Sequence, residues 1–166
     1  MEANFRVLWR DEGAHEAVMR KDTVGRPMEV LLVEDNRMDA HFAIRALEKA
    51  NFQHRCTLVV DGVEAMDYLQ RRGIFARAPR PDVILLDLEL PKKDGREVLS
   101  EIRADEDLRD IPVVVLTGST DEADMAHTQM LQVESYLIKP VNLSKFLDVV
   151  RELKRFWHQG VILPTV

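Results

Sequence analysis

Short apolar runs alternate with longer amphipathic stretches along most of the chain. The runs are rich in valine, leucine and isoleucine and have the length of buried strands, whereas the amphipathic stretches repeat apolar residues with the period of a helix. Each predicted strand is followed by a predicted helix, and the strands are expected at residues 30–33, 58–60, 82–86, 113–116 and 136–138. Because crossovers between parallel strands need helices, this order predicts an α/β fold, a parallel sheet with helices on both faces.

Acidic, hydroxyl or basic residues come directly after four of these strands. Glu34 and Asp35 follow the first strand, Asp87 the third, Thr117 the fourth and Lys139 the fifth. Right-handed crossovers place the carboxyl ends of all the strands at one edge of the sheet, where ligands bind in open α/β folds. We therefore expect these five side chains to converge.

The converging groups favour metal-assisted phosphoryl chemistry. Three neighbouring carboxylates repel one another unless a hard cation lies between them, and Mg²⁺ is the expected ion, with Asp35 and Asp87 as direct ligands and Glu34 acting through a water. Lys139 and Thr117 can stabilise phosphoryl oxygens. Asp87 is then the expected nucleophile, which forms an acyl phosphate. Each residue alone has an ordinary explanation, such as a turn or a helix cap, so the prediction depends on their joint spacing.

Composition excludes several other classes. The formal net charge is −6, which argues against nucleic-acid binding, because phosphate backbones require clustered lysine and arginine. No apolar stretch approaches the ~20 residues of a membrane span, and no signal peptide is visible. The single cysteine, Cys56, cannot form an internal disulfide and is expected to be a buried thiol. A cytoplasmic protein is the resulting hypothesis.

The combined pattern resembles the receiver domains of two-component response regulators. The resemblance extends from about residue 29 to residue 157 and implies a flavodoxin-like (CheY-like) fold with five parallel strands in the order 2-1-3-4-5. It also implies phosphoryl transfer to Asp87 from a histidine kinase or a histidine phosphotransfer protein. The matching residues are Glu34-Asp35, Asp87 with Leu90-Pro91 and Asp94-Gly95 behind it, Thr117, Tyr136, and Lys139-Pro140.

Further site properties follow from this resemblance alone. The backbone carbonyl of Glu89 is expected to bind the magnesium ion, and the peptide bond between Lys139 and Pro140 is expected to be cis, a geometry largely confined to X-Pro bonds. Glu89 and Ser119 occupy positions that modulate the lifetime of the acyl phosphate in the family.

The resemblance also implies a conformational switch. Thr117 would move toward the phosphoryl group, and Tyr136 would rotate into the space that it leaves. The face formed by the fourth helix, fifth strand and fifth helix would change, and with the C-terminal segment it could form a homodimer. The output would be protein contact, with no enzyme activity beyond self-catalysed phosphotransfer and slow dephosphorylation.

Three segments are predicted along the chain. Residues 1–27 lack helical periodicity and are treated as an N-terminal extension, either an appendage or a short docking element anchored by Trp9. Residues 28–157 form the receiver domain, and residues 158–166 form a C-terminal tail.

One departure from the common receiver pattern indicates a particular subgroup of receiver domains. Before the fifth strand most receivers carry a small-Gly-small segment, whereas this chain has Leu131-Gln132-Val133. Together with Phe156-Trp157 and Leu163-Pro164, this segment is similar to the single-domain regulators that partner bacterial phytochrome kinases.

Three rival interpretations share the same α/β order. A flavodoxin-like cofactor binder would need a phosphate-binding loop where Glu34 and Asp35 stand. An aspartate-dependent phosphatase would need a second aspartate two residues after its nucleophile, where this chain has Glu89. A receiver fold used only as a constitutive adaptor is opposed by the complete set of site residues.

Overall fold

A sheet of six strands organises the part of the chain that the computed structural model describes, residues 6–9, 26–50, 53–118, 120–139 and 142–153. The order across the sheet is β1-β3-β2-β4-β5-β6, and β2 to β6 run parallel. The five parallel strands therefore confirm the predicted order. The strands are β1 Arg6–Trp9, β2 Met28–Val33, β3 His54–Val59, β4 Val83–Leu86, β5 Val113–Thr117 and β6 Ser135–Ile138.

Helices connect the parallel strands and cover both faces of the sheet, as predicted. None of the helices in the described ranges is long and apolar enough to cross a membrane. The predicted last helix reaches residue 157, but residues after 153 lie outside the described part. The helices are α1 Arg37–Lys49, α2 Gly62–Leu69, α3 Gly95–Ala104, α4 Glu122–Met130 and α5 Leu143–Leu153, with a 3₁₀ turn at Gly73–Phe75.

Two apolar layers fill the space between the sheet and its helices. One face of the central strands packs against α2 and α3, and the other packs against α1 and α5. Because both faces of the central strands are buried, β4 and residues 113–116 of β5 are continuously apolar instead of alternating. The first layer includes Leu31, Val33, Ile84, Leu86, Val113 and Val115, and the second includes Val30, Leu32, Leu85, Val114 and Leu116.

The N-terminal extension contributes a strand that the sequence pattern did not predict. In β1, Arg6 pairs with Leu58 and Trp9 pairs with Arg55, so this strand runs antiparallel along the outer edge of β3. Four residues are too few to show a reliable period, whereas an edge strand offers unpaired backbone groups to any extended segment. Part of the extension therefore belongs to the sheet.

An ion pair also fixes the start of β2. The Nη1 and Nη2 atoms of Arg26 each lie 2.6 Å from a carboxylate oxygen of Asp82, just before β4. The same carboxylate accepts a hydrogen bond of 2.7 Å from the backbone nitrogen of Glu29. These contacts join the beginnings of two neighbouring strands.

The C-terminal end of α4 shows how this chain replaces the usual glycine. Gln132 adopts φ of 56°, the left-handed conformation that glycine normally provides after a helix. The guanidinium of Arg103 supports this turn, because Nε donates to the Leu131 carbonyl at 2.6 Å and Nη2 donates to the Gln132 carbonyl at 3.2 Å. A third bond, from Nη1 to the Ile111 carbonyl at 2.9 Å, joins the turn to the segment before β5.

Gln132→Gly is expected to stabilise the domain, because glycine adopts the left-handed conformation without steric cost. The expected gain in the free energy of unfolding is about 0.5 kcal/mol or more, since the left-handed penalty exceeds the extra entropy of glycine in the unfolded chain. Chemical denaturation measures the gain. The control is Gln129→Gly inside α4, which should lose stability by a similar amount, and an equal loss in both variants would contradict the prediction.

Candidate active site

The end of β2 supplies a buried carboxylate. Glu34 is 2% exposed, and its backbone nitrogen donates to the Val59 carbonyl at 3.0 Å. Its Oε1 accepts a hydrogen bond of 3.1 Å from the backbone nitrogen of Asn36, the residue that caps α1. Asp35, in contrast, is exposed to solvent. The strand end therefore presents one buried and one accessible carboxylate.

The end of β4 supplies the second buried carboxylate. The backbone nitrogen of Asp87 donates to the Val33 carbonyl at 3.0 Å, which continues the pairing of β4 with β2. Its Oδ1 accepts a hydrogen bond of 3.2 Å from the backbone nitrogen of Glu89. Gly95, the first residue of α3, lies against the backbone of Asp87. A Cβ atom at this position would lie 2.2 Å from the Asp87 carbonyl oxygen. Only glycine permits this approach of α3 to the strand end.

Lys139 brings the carboxylates together from the end of β6. Its Nζ lies 2.5 Å from Oε2 of Glu34, 3.0 Å from Oδ2 of Asp39 and 3.3 Å from Oδ2 of Asp87. The structure thus confirms that the ends of β2, β4 and β6 meet at one edge. Asp39 was missed because it lies in the first turn of α1 and not at the end of a strand.

Burial and the hydrogen bonds of the ion pair have opposite effects on the pKa of Glu34, and likewise on the pKa of Lys139. Burial raises the pKa of Glu34 to about 7, and the neighbouring charge of Asp87 adds to that effect, while the hydrogen bond from Lys139 offsets part of it. Burial also opposes the charge on Lys139, but the hydrogen bonds to Glu34 and Asp39 outweigh it and raise the pKa of the ammonium. Lys139 therefore stays protonated, whereas Glu34 can change its charge near neutrality.

Three carboxylates form a candidate cation site. Glu34, Asp35 and Asp87 each offer an oxygen within 4.8 Å of the others, and no other such group occurs among the residues that the structure describes. Oxygen donors of this kind fit a hard divalent ion. These three carboxylates therefore lie close enough together to share one ion.

The remaining predicted residues occupy two strands and the loops beside them. Thr117, the last residue of β5, is fully buried, and its carbonyl accepts a hydrogen bond of 2.7 Å from the backbone nitrogen of Lys139. Tyr136 is half-buried in β6 and pairs with Val115. Glu89 is exposed. The predictions for Ser119 and for the cis peptide at Pro140 concern residues outside the described part of the chain.

The metal-free protein provides a test of the environment of Glu34. Its folded pKa of about 7 lies above the ordinary value of 4.5, so the folded state holds a proton that the unfolded chain releases between these values. This contribution is complete below the unfolded value and is lost as the pH rises through about 7. Relative to wild type, Glu34→Gln should gain roughly 2 kcal/mol of unfolding free energy between pH 5 and pH 8. Urea denaturation with a chelator measures this difference, and a constant difference across the range would contradict it.

The sequence of this chain is similar to those of known receiver domains. Residues 30–151 match the response regulator receiver domain family. Response regulator Rcp1 of Synechocystis is 43% identical over 143 residues, which cover 86% of this chain and 97% of Rcp1. The match confirms the predicted resemblance to receiver domains.

Solved structures show the same fold. The Mn²⁺-bound form of Rcp1 matches with a TM-score of 0.70 and 44% identity over 84% of this chain and all of that one. The phosphorylated cyanobacterial phytochrome response regulator RcpA matches with a TM-score of 0.70 and 46% identity over the same shares. A receiver domain of the Pseudomonas aeruginosa sensor kinase PA1611, with magnesium in its active site cleft, matches with a TM-score of 0.63 and 32% identity over 78% of this chain and 97% of that one.

The similarity to RcpA confirms the predicted likeness to phytochrome response regulators. Because the family match covers every parallel strand except the first residues of β2, and also covers the acidic edge, this chain belongs to the response regulator receiver domain family.

Proposed function

We propose that this chain is a response regulator that accepts a phosphoryl group on Asp87 and signals through protein contact. Receiver domains of two-component systems interact with histidine kinases or histidine phosphotransfer proteins, and we take one of these as the phosphodonor. The supporting observation is the position of Lys139, whose ammonium contacts both Glu34 and Asp87 at the carboxyl edge of the sheet.

The geometry around Asp87 suits a nucleophile. Asp87 is 4% exposed, its Oδ1 accepts a hydrogen bond from the backbone nitrogen of Glu89, and its Oδ2 lies beside the ammonium of Lys139. During transfer an oxygen of Asp87 forms a bond to phosphorus while the bond between phosphorus and the donor imidazole nitrogen breaks. Lys139 and the hydroxyl of Thr117 then stabilise the phosphoryl oxygens.

We assign the cation site to Mg²⁺. Asp35 and Asp87 would hold the ion directly, with the Glu89 carbonyl as a further ligand and Glu34 acting through a water. The ion supplies positive charge to the phosphoryl oxygens when it is bound. The Mn²⁺ in Rcp1 and the magnesium in the PA1611 receiver support a divalent ion at this position.

The output surface is assigned to α4, β6 and α5. Thr117 and Tyr136 lie on the neighbouring strands β5 and β6, where a shift of the threonine would open space for the tyrosine. A homodimer through this surface, with the C-terminal segment, is part of the proposal. The match to RcpA supports a phytochrome histidine kinase as the donor.

The remaining parts of the proposal follow the sequence predictions. Glu89 and Ser119 modulate the acyl-phosphate lifetime, and the peptide bond before Pro140 is cis. Residues 28–157 form the receiver domain, between an extension at residues 1–27 and a tail at residues 158–166. The protein acts in the cytoplasm, binds neither nucleic acid nor membrane, and has no enzyme activity beyond its own phosphorylation and dephosphorylation.

Treatment with a small phosphodonor and magnesium tests the function. The full chain should acquire one acid-labile phosphate, which mass spectrometry of peptides would locate at Asp87. A chelator should suppress the reaction. A wild-type protein that acquires no phosphate while it binds partners would instead support the adaptor interpretation.

A further inference from the structure

Helix α4 is held mainly at its two ends. Only Thr128 among its residues is buried, so its packing against the rest of the domain is sparse. Two arginines of α3, separated by two helical turns, contact the two ends of α4. Arg103 supports the C-terminal turn through the carbonyls of Leu131 and Gln132, and Arg96 contacts Asp124 in the first turn.

The contact at the first turn is a two-pronged ion pair. Nε of Arg96 lies 2.6 Å from Oδ1 of Asp124, and Nη2 bonds Oδ2 of the same carboxylate. The side chains are 30% and 16% exposed, respectively, so the pair is partly shielded from water. Paired bonds of this kind are strong and directional, and lysine cannot reproduce them.

The third nitrogen of Arg96 contacts the residue that follows the phosphoacceptor. Nη1 lies 3.4 Å from the carbonyl oxygen of Leu88, the residue after Asp87, and 3.1 Å from each carboxylate oxygen of Asp94. The Leu88 carbonyl also accepts a hydrogen bond of 2.9 Å from the backbone nitrogen of Gly95. A single guanidinium therefore joins the segment after Asp87 to the first turn of α4.

We propose that Arg96 is a positioning residue that couples the state of Asp87 to α4. This inference rests on the proposed function. Phosphorylation adds negative charge to Asp87, the residue before Leu88, draws the Arg96 guanidinium toward the strand end and so weakens its pair with Asp124. Arg103 bonds to backbone carbonyls, so the C-terminal end of α4 stays fixed while the first turn is released.

Amide hydrogen exchange of the full chain, with and without a small phosphodonor, tests the coupling. In unphosphorylated Asp124→Asn, exchange in the first half of α4 should rise ~10-fold over wild type, because a charge-assisted pair is lost. Phosphorylation should cause a similar rise in wild type and little further rise in the variant. Asp124→Glu, which keeps a carboxylate, should restore part of the response.

Glu122→Gln is the matched control, because Glu122 is an exposed acidic residue in the same turn. Exchange in Asp124→Asn that equals exchange in Glu122→Gln would overturn the proposal, as would a phosphorylated wild type whose α4 exchange is unchanged. A wild-type protein that takes up no phosphate would remove the proposed function and the coupling with it. The first two results would leave the phosphate chemistry intact, so the two failures are distinguishable.

Discussion

Asp87→Asn is expected to lower the yield of acid-labile phosphate by more than about 1,000-fold when the protein is treated with a small phosphodonor and magnesium. The amide has nearly the same shape as the carboxylate and can still accept the hydrogen bond from Glu89, so the fold should be retained. It has no anionic oxygen to attack phosphorus, and no acyl phosphate can form. Phosphate yield on intact protein, normalised to wild type, measures the effect.

Asp105→Asn provides the control for a generic loss of a carboxylate, because Asp105 lies at the opposite end of α3 from the site. It should accept phosphate at the wild-type rate. Substantial phosphate on Asp87→Asn, mapped to Asp35 or another carboxylate, would show that Asp87 is not the nucleophile. Circular dichroism before treatment would exclude unfolding as the cause of a low yield.

Lys139→Met is expected to have two large effects. Loss of the ammonium removes a charged contact to the phosphoryl oxygens, which should slow phosphorylation by about 100-fold or more. It also leaves Glu34, Asp39 and Asp87 without their shared cation. Because this site is largely buried, the metal-free protein should lose about 3 kcal/mol of unfolding free energy at pH 8.

The pH dependence separates this mechanism from general damage. At pH 5 Glu34 is protonated, so fewer uncompensated charges remain and the stability loss of Lys139→Met should shrink. Lys145→Met, on the exposed side of α5, should behave as wild type in both assays. A stability loss that is equal at both pH values would argue against electrostatic compensation by Lys139.

The parallel sheet and its acidic edge were predictable because strand ends have a fixed geometry. Once five apolar runs alternate with helices, the chain direction alone places Glu34, Asp87 and Lys139 at the same edge. The side chains then meet without any knowledge of their rotamers. The positions of these three residues therefore follow from the strand order and the chain direction.

Contacts that depend on side-chain reach were not predictable in this way. Asp39 joins the lysine from a helix face, and the pairing of Arg96 with Asp124 depends on how α3 and α4 lie beside each other. Neither relation has a characteristic spacing in the sequence. The strand β1 was missed for a different reason, because four residues far from their partner carry too little pattern.

The contacts of Lys139 have a consequence for the biosynthesis of the protein. The lysine lies 105 residues after Glu34 and 52 residues after Asp87, so the ion pair forms only when the last strand has docked. A nascent chain that has completed β2 to β5 would carry its buried carboxylates without their cation. Contacts between such distant residues also slow folding. The site is therefore complete only when nearly the whole domain has left the ribosome, and shorter nascent chains lack the lysine that phosphorylation requires.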